Sequence, residues 1–579
     1  MAVSLPGAVK RPIEITRQRV GVRDYAPAQA IGRRVVALTL IAIVGVLCLP
    51  PVYYVIDAAL SHRADGVRQM LHDPTLGSTL RTTFELAIGS VVLSMVMGTL
   101  LAWGAMGLTG RRRWLGFIPL APLVMPVLAA ISGYVYLFNP VIGYGNQLLR
   151  SIMFWSHSQN GPLNVNTVPF IVIVTGVLLT SFVYLFVRTA LSQLDQGVYD
   201  AAAASGASPS RAFFKVVLPL LRPALVYSAL TGLVLALGQY TIPLFFGLQQ
   251  NIQVLGTQIY NSSSSIPPNY PLAAAFGLPI ILAGLIFIAL QMILLRDQGR
   301  YASSGSKGAD RSLKKSGWIS QGALIVYGVF AVAGPILSVA IVAFQPYWQG
   351  HINVSQFTLA NFRAVFDNPQ LTGAIKNSIL YALTATALVV PLGFFCAKVI
   401  YRRTQQKVIS TVVEVLVAIP LGIPAAIFGV GFLLAFLQGP LNLYGQGSGL
   451  VVVYTVITLP FITRVILIGM LNLGSNLVDA GATCGAPLWR RTLSLELPML
   501  RSAIASAAAI CLVLSSYEFS ASLLIRSTHT QVMGTVLYDQ FVNGSNPNVA
   551  VMALLMCAIT TIGVLLALAL GRSPSTKDG

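Results

Sequence analysis

Acidic residues are scarce in this chain. Only 17 of its 579 residues are Asp or Glu, and charged residues of both signs make up 9% of the whole. Cysteine and histidine number five each. No two cysteines stand at a spacing that suggests pairing, and neither residue type recurs at the short intervals that gather metal ligands. The cysteines, all in or beside apolar runs except Cys484, are read as small packing residues. His62, His72, His157, His351 and His529 are scattered and are read as ordinary loop residues, so no metal site is expected. There is no G-x-x-x-x-G-K-[ST] loop to cradle phosphates, and the chain is expected to bind no nucleotide or other cofactor. H-E-x-x-H, G-x-S-x-G and paired aspartates within apolar runs are also missing, which argues against a membrane-embedded hydrolase. Short segments alternating apolar with polar, the mark of a membrane β-barrel, do not occur either.

What is present is apolar length. Hydrophobic residues make up 55% of the chain, too many for a soluble protein of this size. Crossing a bilayer takes about 20 apolar residues as a helix. About twelve runs qualify by that measure, at 35–57, 82–105, 114–138, 168–188, 217–246, 272–295, 319–344, 377–400, 409–437, 450–471, 502–525 and 549–571. Backbone groups in lipid must bond internally, so the expected fold is all-α and polytopic. The formal charge of +20 does not imply nucleic acid. If the N-terminus is cytoplasmic and each run crosses once, Arg17, Arg19, Arg33, Arg34, Arg111, Arg112, Arg113, Arg211, Lys215, Arg300, Lys398, Arg490 and Arg501 share one side. The opposite loops keep few basic residues, among them Arg63, Arg81, Arg150, Lys376 and Arg526. That is the positive-inside asymmetry, and it puts both termini in the cytoplasm. A basic face against anionic headgroups accounts for the charge.

The chain says nearly the same thing twice. Asp200-Ala201-Ala202, Gly206, Arg211 and Leu218-Pro219 repeat at the same spacing as Asp479-Ala480-Gly481, Gly485, Arg490 and Leu497-Pro498. Upstream, Pro122 and Pro126 with Gly133 match Pro420 and Pro424 with Gly431. Downstream, Gln239-Tyr240-Thr241 matches Glu518-Phe519-Ser520. The proline boxes lie 298 positions apart and the polar islands 279, so the first half carries about 19 extra residues, placed in the loop 139–167, where insertions cost little. The implied organisation is a tail at 1–34, a six-helix module at 35–296, a Ser/Gly/Lys-rich linker at 297–318, a second module at 319–571 and a short tail at 572–579. A linker on the side of the N-terminus makes the repeat parallel rather than inverted.

Each polar island suits a helical elbow. Asp200 stands where a carboxylate favours a helix N-terminus. Gly206 can take the positive φ that ends the short helix. Ser208 can cap a second helix with Pro209 at its first position. In the second copy Pro487 and Leu488 replace the Ser-Pro pair, with Pro487 near the helix start.

These islands resemble the "EAA" loop of type I ABC importer permeases, in which Glu-Ala-Ala is followed by a Gly and a hydrophobic-x-Leu-Pro. Asp replaces Glu in both copies, and Gly481 replaces the second Ala, which should loosen that helix by roughly 1 kcal/mol. The resemblance covers about 78–295 and 371–571 of this sequence. It implies a fused permease of twelve helices in the bacterial inner membrane. It also implies elbows that dock a separate, homodimeric cytoplasmic ATPase holding ATP and Mg, and a periplasmic or lipid-anchored solute-binding protein as the cargo donor. Transport would proceed by alternating access, without catalysis by this chain. Among fused permeases the resemblance extends to those for ferric iron, the first candidate cargo, and to those for thiamine, 2-aminoethylphosphonate and polyamines. An ion-coupled secondary transporter is the competing class; it would not need paired elbows.

Two features point to the pathway. The proline boxes interrupt their helices, as in transporters whose broken helices line the route. Glu518, beside Phe519, lies inside an apolar run, where an ionisable group is costly and usually faces a cavity or a partner. With Gln239 and Tyr240 it is expected to form a polar belt or gate between the halves. Glu85 and Glu414, nearer helix ends, are expected to be structural.

Overall fold

The computed structural model describes residues 27–152, 160–192, 194, 202, 204–294, 317–401, 407–440, 442–473, 480–481 and 483–571. All regular structure among them is helical. Eight helices are long and apolar enough to cross a membrane, and four bent helix pairs bring the number of candidate spans to twelve. The first half contains α1 (Pro27–His72), α2 (Leu76–Met106), α3 (Val127–Phe138), α4 (Val168–Ser192), α5 (Arg222–Leu237) and α6 (Tyr270–Leu294). The second contains α7 (Trp318–Phe344), α8 (Pro369–Tyr401), α9 (Ala425–Gln438), α10 (Gly447–Leu473), α11 (Arg501–Ser516) and α12 (Asn546–Gly571). Residues 1–26 of the N-terminal tail and nearly all of the linker lie outside the described residues, as do Asp200, Ala201 and Asp479, while α1 begins at Pro27, inside the stretch expected as tail.

Local chemistry sets the helix starts. Asn368 accepts from the backbone N–H groups of Gln370 (2.9 Å) and Leu371 (3.3 Å), capping α8 with Pro369 at its first position. Asp73 does similar work ahead of α2, holding the N–H and hydroxyl of Thr75 at 2.7 Å. Large apolar side chains such as Val46, Ile88, Val92, Leu380 and Leu565 point outward along the spans, the surface that lipid would cover. Glu85 pairs with Arg81 four residues earlier at 2.7 Å on an exposed face, a structural role as its place near the start of α2 suggests.

The proline boxes do more than kink their runs. At Pro122–Pro126 a 3-10 segment, Gly110–Leu123, meets α3 at 99°. At Pro420–Pro424 the helix Lys407–Gly422 meets α9 at 107°. Prolines lack a donor and crowd the preceding turn, so neither run continues as one rod.

The halves are interlocked. α1 packs against α6 of its own half and against α9 of the other, and α7 packs symmetrically against α12 and α3. Both cross-half crossings use a glycine against a proline. A Cβ on Gly133 would collide with the backbone of Pro335, and one on Gly431 with the backbone of Pro51. Ser338 tightens the first crossing by donating to the carbonyl of Gly133 at 2.9 Å. With no hydrophobic drive between helices in lipid, such close approach is the main source of association. The extra residues of the first half include the helix Tyr144–Ile152. It is tied down by buried Asn146, which donates to the carbonyls of Asn139 (2.9 Å) and Leu163 (2.6 Å).

Candidate functional site

Two places combine the repeated residues. The first is the pair of elbows. Gly206 and Gly485 take φ of +73° and +76°. In both copies the residue after the glycine donates back five positions, Ala207 to the carbonyl of Ala202 and Ala486 to that of Gly481, each at 3.1 Å. A left-handed glycine closed by such a bond is the Schellman arrangement. Ser208 accepts from the N–H of Arg211 at 3.4 Å. A π-helical turn follows at the same place in each copy, Phe213–Val217 and Thr492–Glu496. It stands directly before Leu218-Pro219 and Leu497-Pro498, where the wider turn keeps the chain helical although proline cannot donate. The chain then bends by 66° into α5 and by 73° into α11.

The two elbows are held differently. Phe213 stacks on Trp103 of α2, with centroids 4.5 Å apart. The corresponding Thr492 accepts from Lys398 of α8 at 2.5 Å, and Lys398 is ion-paired with buried Glu496. Sequence reading placed Lys398 only among the basic residues of one side. Its partner Glu496 stands where the first copy has Val217, a difference visible in the repeat once the halves are aligned. A side chain at Gly481 would press on Leu495, which gives a packing reason for glycine there. Arg211, Arg490, Phe214, Trp489 and Leu493 are exposed on the elbows.

The second place is the middle of the bundle. α5 and α11 both stop, at Leu237 and Ser516, and restart as the short helices Thr241–Phe246 and Ser522–Ile525. Tyr240 stacks on Phe519 with centroids 6.1 Å apart and planes within 10°. The Tyr240 hydroxyl donates to the Ser520 carbonyl at 2.7 Å, and the hydroxyls of Thr241 and Ser520 lie 3.4 Å apart. Tyr240 and Phe519 are repeat counterparts, and so are Thr241 and Ser520. Residues touch their own counterparts only near the axis relating two like units, so the axis of the duplication passes here.

Beside this contact is a cavity of about 230 Å³ lined by both halves. Gln239, Glu518 and Phe519 line it, together with Thr241, Tyr454, Thr458, Phe461, Ser515 and Tyr517. Tyr454, Thr458 and Phe461 come from α10, where nothing in the repeat marks them. Glu518 also has a local task. Its carboxylate accepts from the N–H groups of Ala521 (2.8 Å) and Ser522 (3.0 Å) and from the Ser522 hydroxyl (2.5 Å). It thereby closes the start of the helix Ser522–Ile525. Past the restarts, Phe245 packs on Tyr538 (5.3 Å) and Phe541 (4.7 Å), and Phe519 on Tyr538 (5.9 Å). These rings form an aromatic layer from both halves that adjoins the cavity through Phe519.

The proline boxes only adjoin this site. Pro126 directly precedes Val127, which lines the cavity, and Pro424 packs against Gly238 just before Gln239. None of the four prolines, Pro122, Pro126, Pro420 and Pro424, is among the residues that line it.

The profile of a family described as "binding-protein-dependent transport system inner membrane component" matches residues 94–300 and again 389–575. The chain is similar to a Haemophilus influenzae permease named for ferric transport, 23% identical over 454 residues, covering 76% of this chain and 69% of the relative. It is similar to a Sinorhizobium fredii protein named as an ABC transporter permease, 24% identical over 489 residues, covering 80% and 83%. A shorter match, 34% identical over 131 residues, covers 22% of this chain and 43% of an sn-glycerol-3-phosphate transport system permease of Yersinia enterocolitica.

Proposed function

This chain belongs to the family of binding-protein-dependent transport system inner membrane components, and from that premise we propose how its two elbows and its axial cavity divide the work. It is a multi-pass inner-membrane permease of an ABC importer, with two permease modules in one polypeptide, working with an ATPase and a solute-binding protein. The elbows dock a homodimeric cytoplasmic ATPase, which carries the ATP and Mg. The docking residues are Asp200, Ala201, Ala202, Gly206, Arg211, Leu218 and Pro219 in one copy, and Asp479, Ala480, Gly481, Gly485, Arg490, Leu497 and Pro498 in the other. Both termini are cytoplasmic, and the donor is a periplasmic or lipid-anchored binding protein. Cargo passes through the cavity at Gln239 and Glu518, with Tyr240 and Phe519 as the gate, and ATP-driven movement of the elbows opens the aromatic layer by alternating access. For cargo, the ferric name of the Haemophilus relative puts ferric iron first on similarity, with thiamine, 2-aminoethylphosphonate and polyamines as alternatives.

The observation that carries this reading is the matched pair of glycine-closed elbows, each leading directly into a helix that ends on the axis. The test is a pull-down of the tagged chain in mild detergent, wild type against the double variant Gly206→Pro/Gly485→Pro. An ATPase recovered with the wild type and lost with the variant supports the reading. No ATPase with folded wild type sinks it in favour of an ion-coupled transporter.

A further inference from the structure

The charge inside the axial cavity has a consequence for cargo. Among the described lining residues Glu518 is the one carboxylic acid, and no Lys, Arg or His lines the cavity with it. Its hydrogen-bond partners include the backbone N–H groups of Ala521 and Ser522 and the Ser522 hydroxyl, all neutral. This carboxyl group has no cation beside it among the described lining residues, in a place where an isolated charge is costly. A positively charged solute entering the cavity would supply the missing counter-charge, and an anion would meet repulsion at short range and low dielectric. The other walls suit an organic cation. Tyr454, Phe461, Tyr517 and Phe519 bring aromatic rings, which attract ammonium-type cations when desolvated. Ser515, Thr458 and Gln239 add neutral hydrogen-bonding groups.

We propose that the cavity is a charge filter in which Glu518 selects small organic cations over anionic cargo. This rests on the reading of the cavity as the cargo pathway. The repeat supplies a control: Gln239, the counterpart of Glu518, lines the same cavity. Glu518→Gln would make the two halves alike and remove the charge. Gln239→Glu would double it while leaving the Glu518 cap on the helix Ser522–Ile525 intact.

The experiment uses the full chain with its ATPase in lipid nanodiscs. Binding is measured by titration calorimetry at constant ionic strength with thiamine and spermidine as organic cations and with inorganic phosphate and sulfate as anions. The expected result is binding of at least one organic cation, weakened tenfold or more by Glu518→Gln and strengthened by Gln239→Glu, with no measurable binding of either anion. Anion binding equal to cation binding, no cation binding, or cation affinity unmoved by both variants would overturn the proposal. Because Glu518 also holds a helix start, Glu518→Gln is first checked for ATPase capture; if it fails that check, the direction of change in Gln239→Glu decides alone. Failure of wild type to capture an ATPase would instead overturn the permease reading, so the two failures are distinguishable.

Discussion

Gly133 and Gly431 are the residues where one atom decides most. Each lies where a first helix of one half crosses a third helix of the other, and each faces proline backbone that cannot move away without shifting a span. Overpacking at such a point costs about 1–3 kcal/mol. Gly431→Val is therefore expected to lower the thermal midpoint in detergent, whereas Gly373→Ala, with open space around its Cβ position inside α8, should leave it unchanged or raise it slightly. A differential scanning fluorimetry comparison checks this, and equal midpoints for the two variants would refute the crossing argument. Glu518 shows the other side of residue-scale reading. Its place in an apolar run marks it as special, and it does line the cavity. That it also closes the start of a four-residue helix follows from the break at 517–521, which no pattern of apolar residues announces.

At the scale of elements, the elbows are alike in backbone and unlike in anchoring. The first is wedged by Trp103 on Phe213, and the second is tied by Lys398 to Thr492 and Glu496. Breaking a buried ion pair on one side costs up to about 3–5 kcal/mol, whereas replacing both partners with apolar residues is often neutral. Lys398→Met is thus expected to destabilise the second elbow strongly, and Lys398→Met/Glu496→Met to recover most of the loss. Limited proteolysis around Thr483–Pro487 reads the elbow directly; equal cleavage of the single and double variants would show that the pair does not hold it. The elbow glycines and prolines are legible in sequence because they answer to local backbone chemistry. The anchors are not, since they join segments about a hundred residues apart.

For the whole molecule, the consequence of the interlock is mutual dependence. α1 completes the packing of α9, and α7 that of α3, so neither half buries its own third helix alone. Cutting the chain within 297–316 and expressing both pieces together should give a complex that co-purifies through a tag on either piece. Each piece expressed singly should be recovered poorly. Stable, monodisperse single halves would contradict the clasp.

The sequence by itself determined the class of fold, the duplication, the elbows and the segments that meet on the axis. These follow from apolar run length, from glycine and proline at fixed offsets, and from the cost of a carboxylate inside a span, all of which act over a few turns of chain. Only the tertiary structure decided that the proline boxes turn through about a right angle and that the first helix of each half belongs to the packing of the other. It also decided that Tyr454, Thr458 and Phe461 of α10 complete the cavity, and that Lys398 reaches Glu496. Each of these depends on which helix faces which, and in a bilayer that choice rests on close-packed surface between helices of nearly equal hydropathy, a quantity that one-dimensional pattern does not carry.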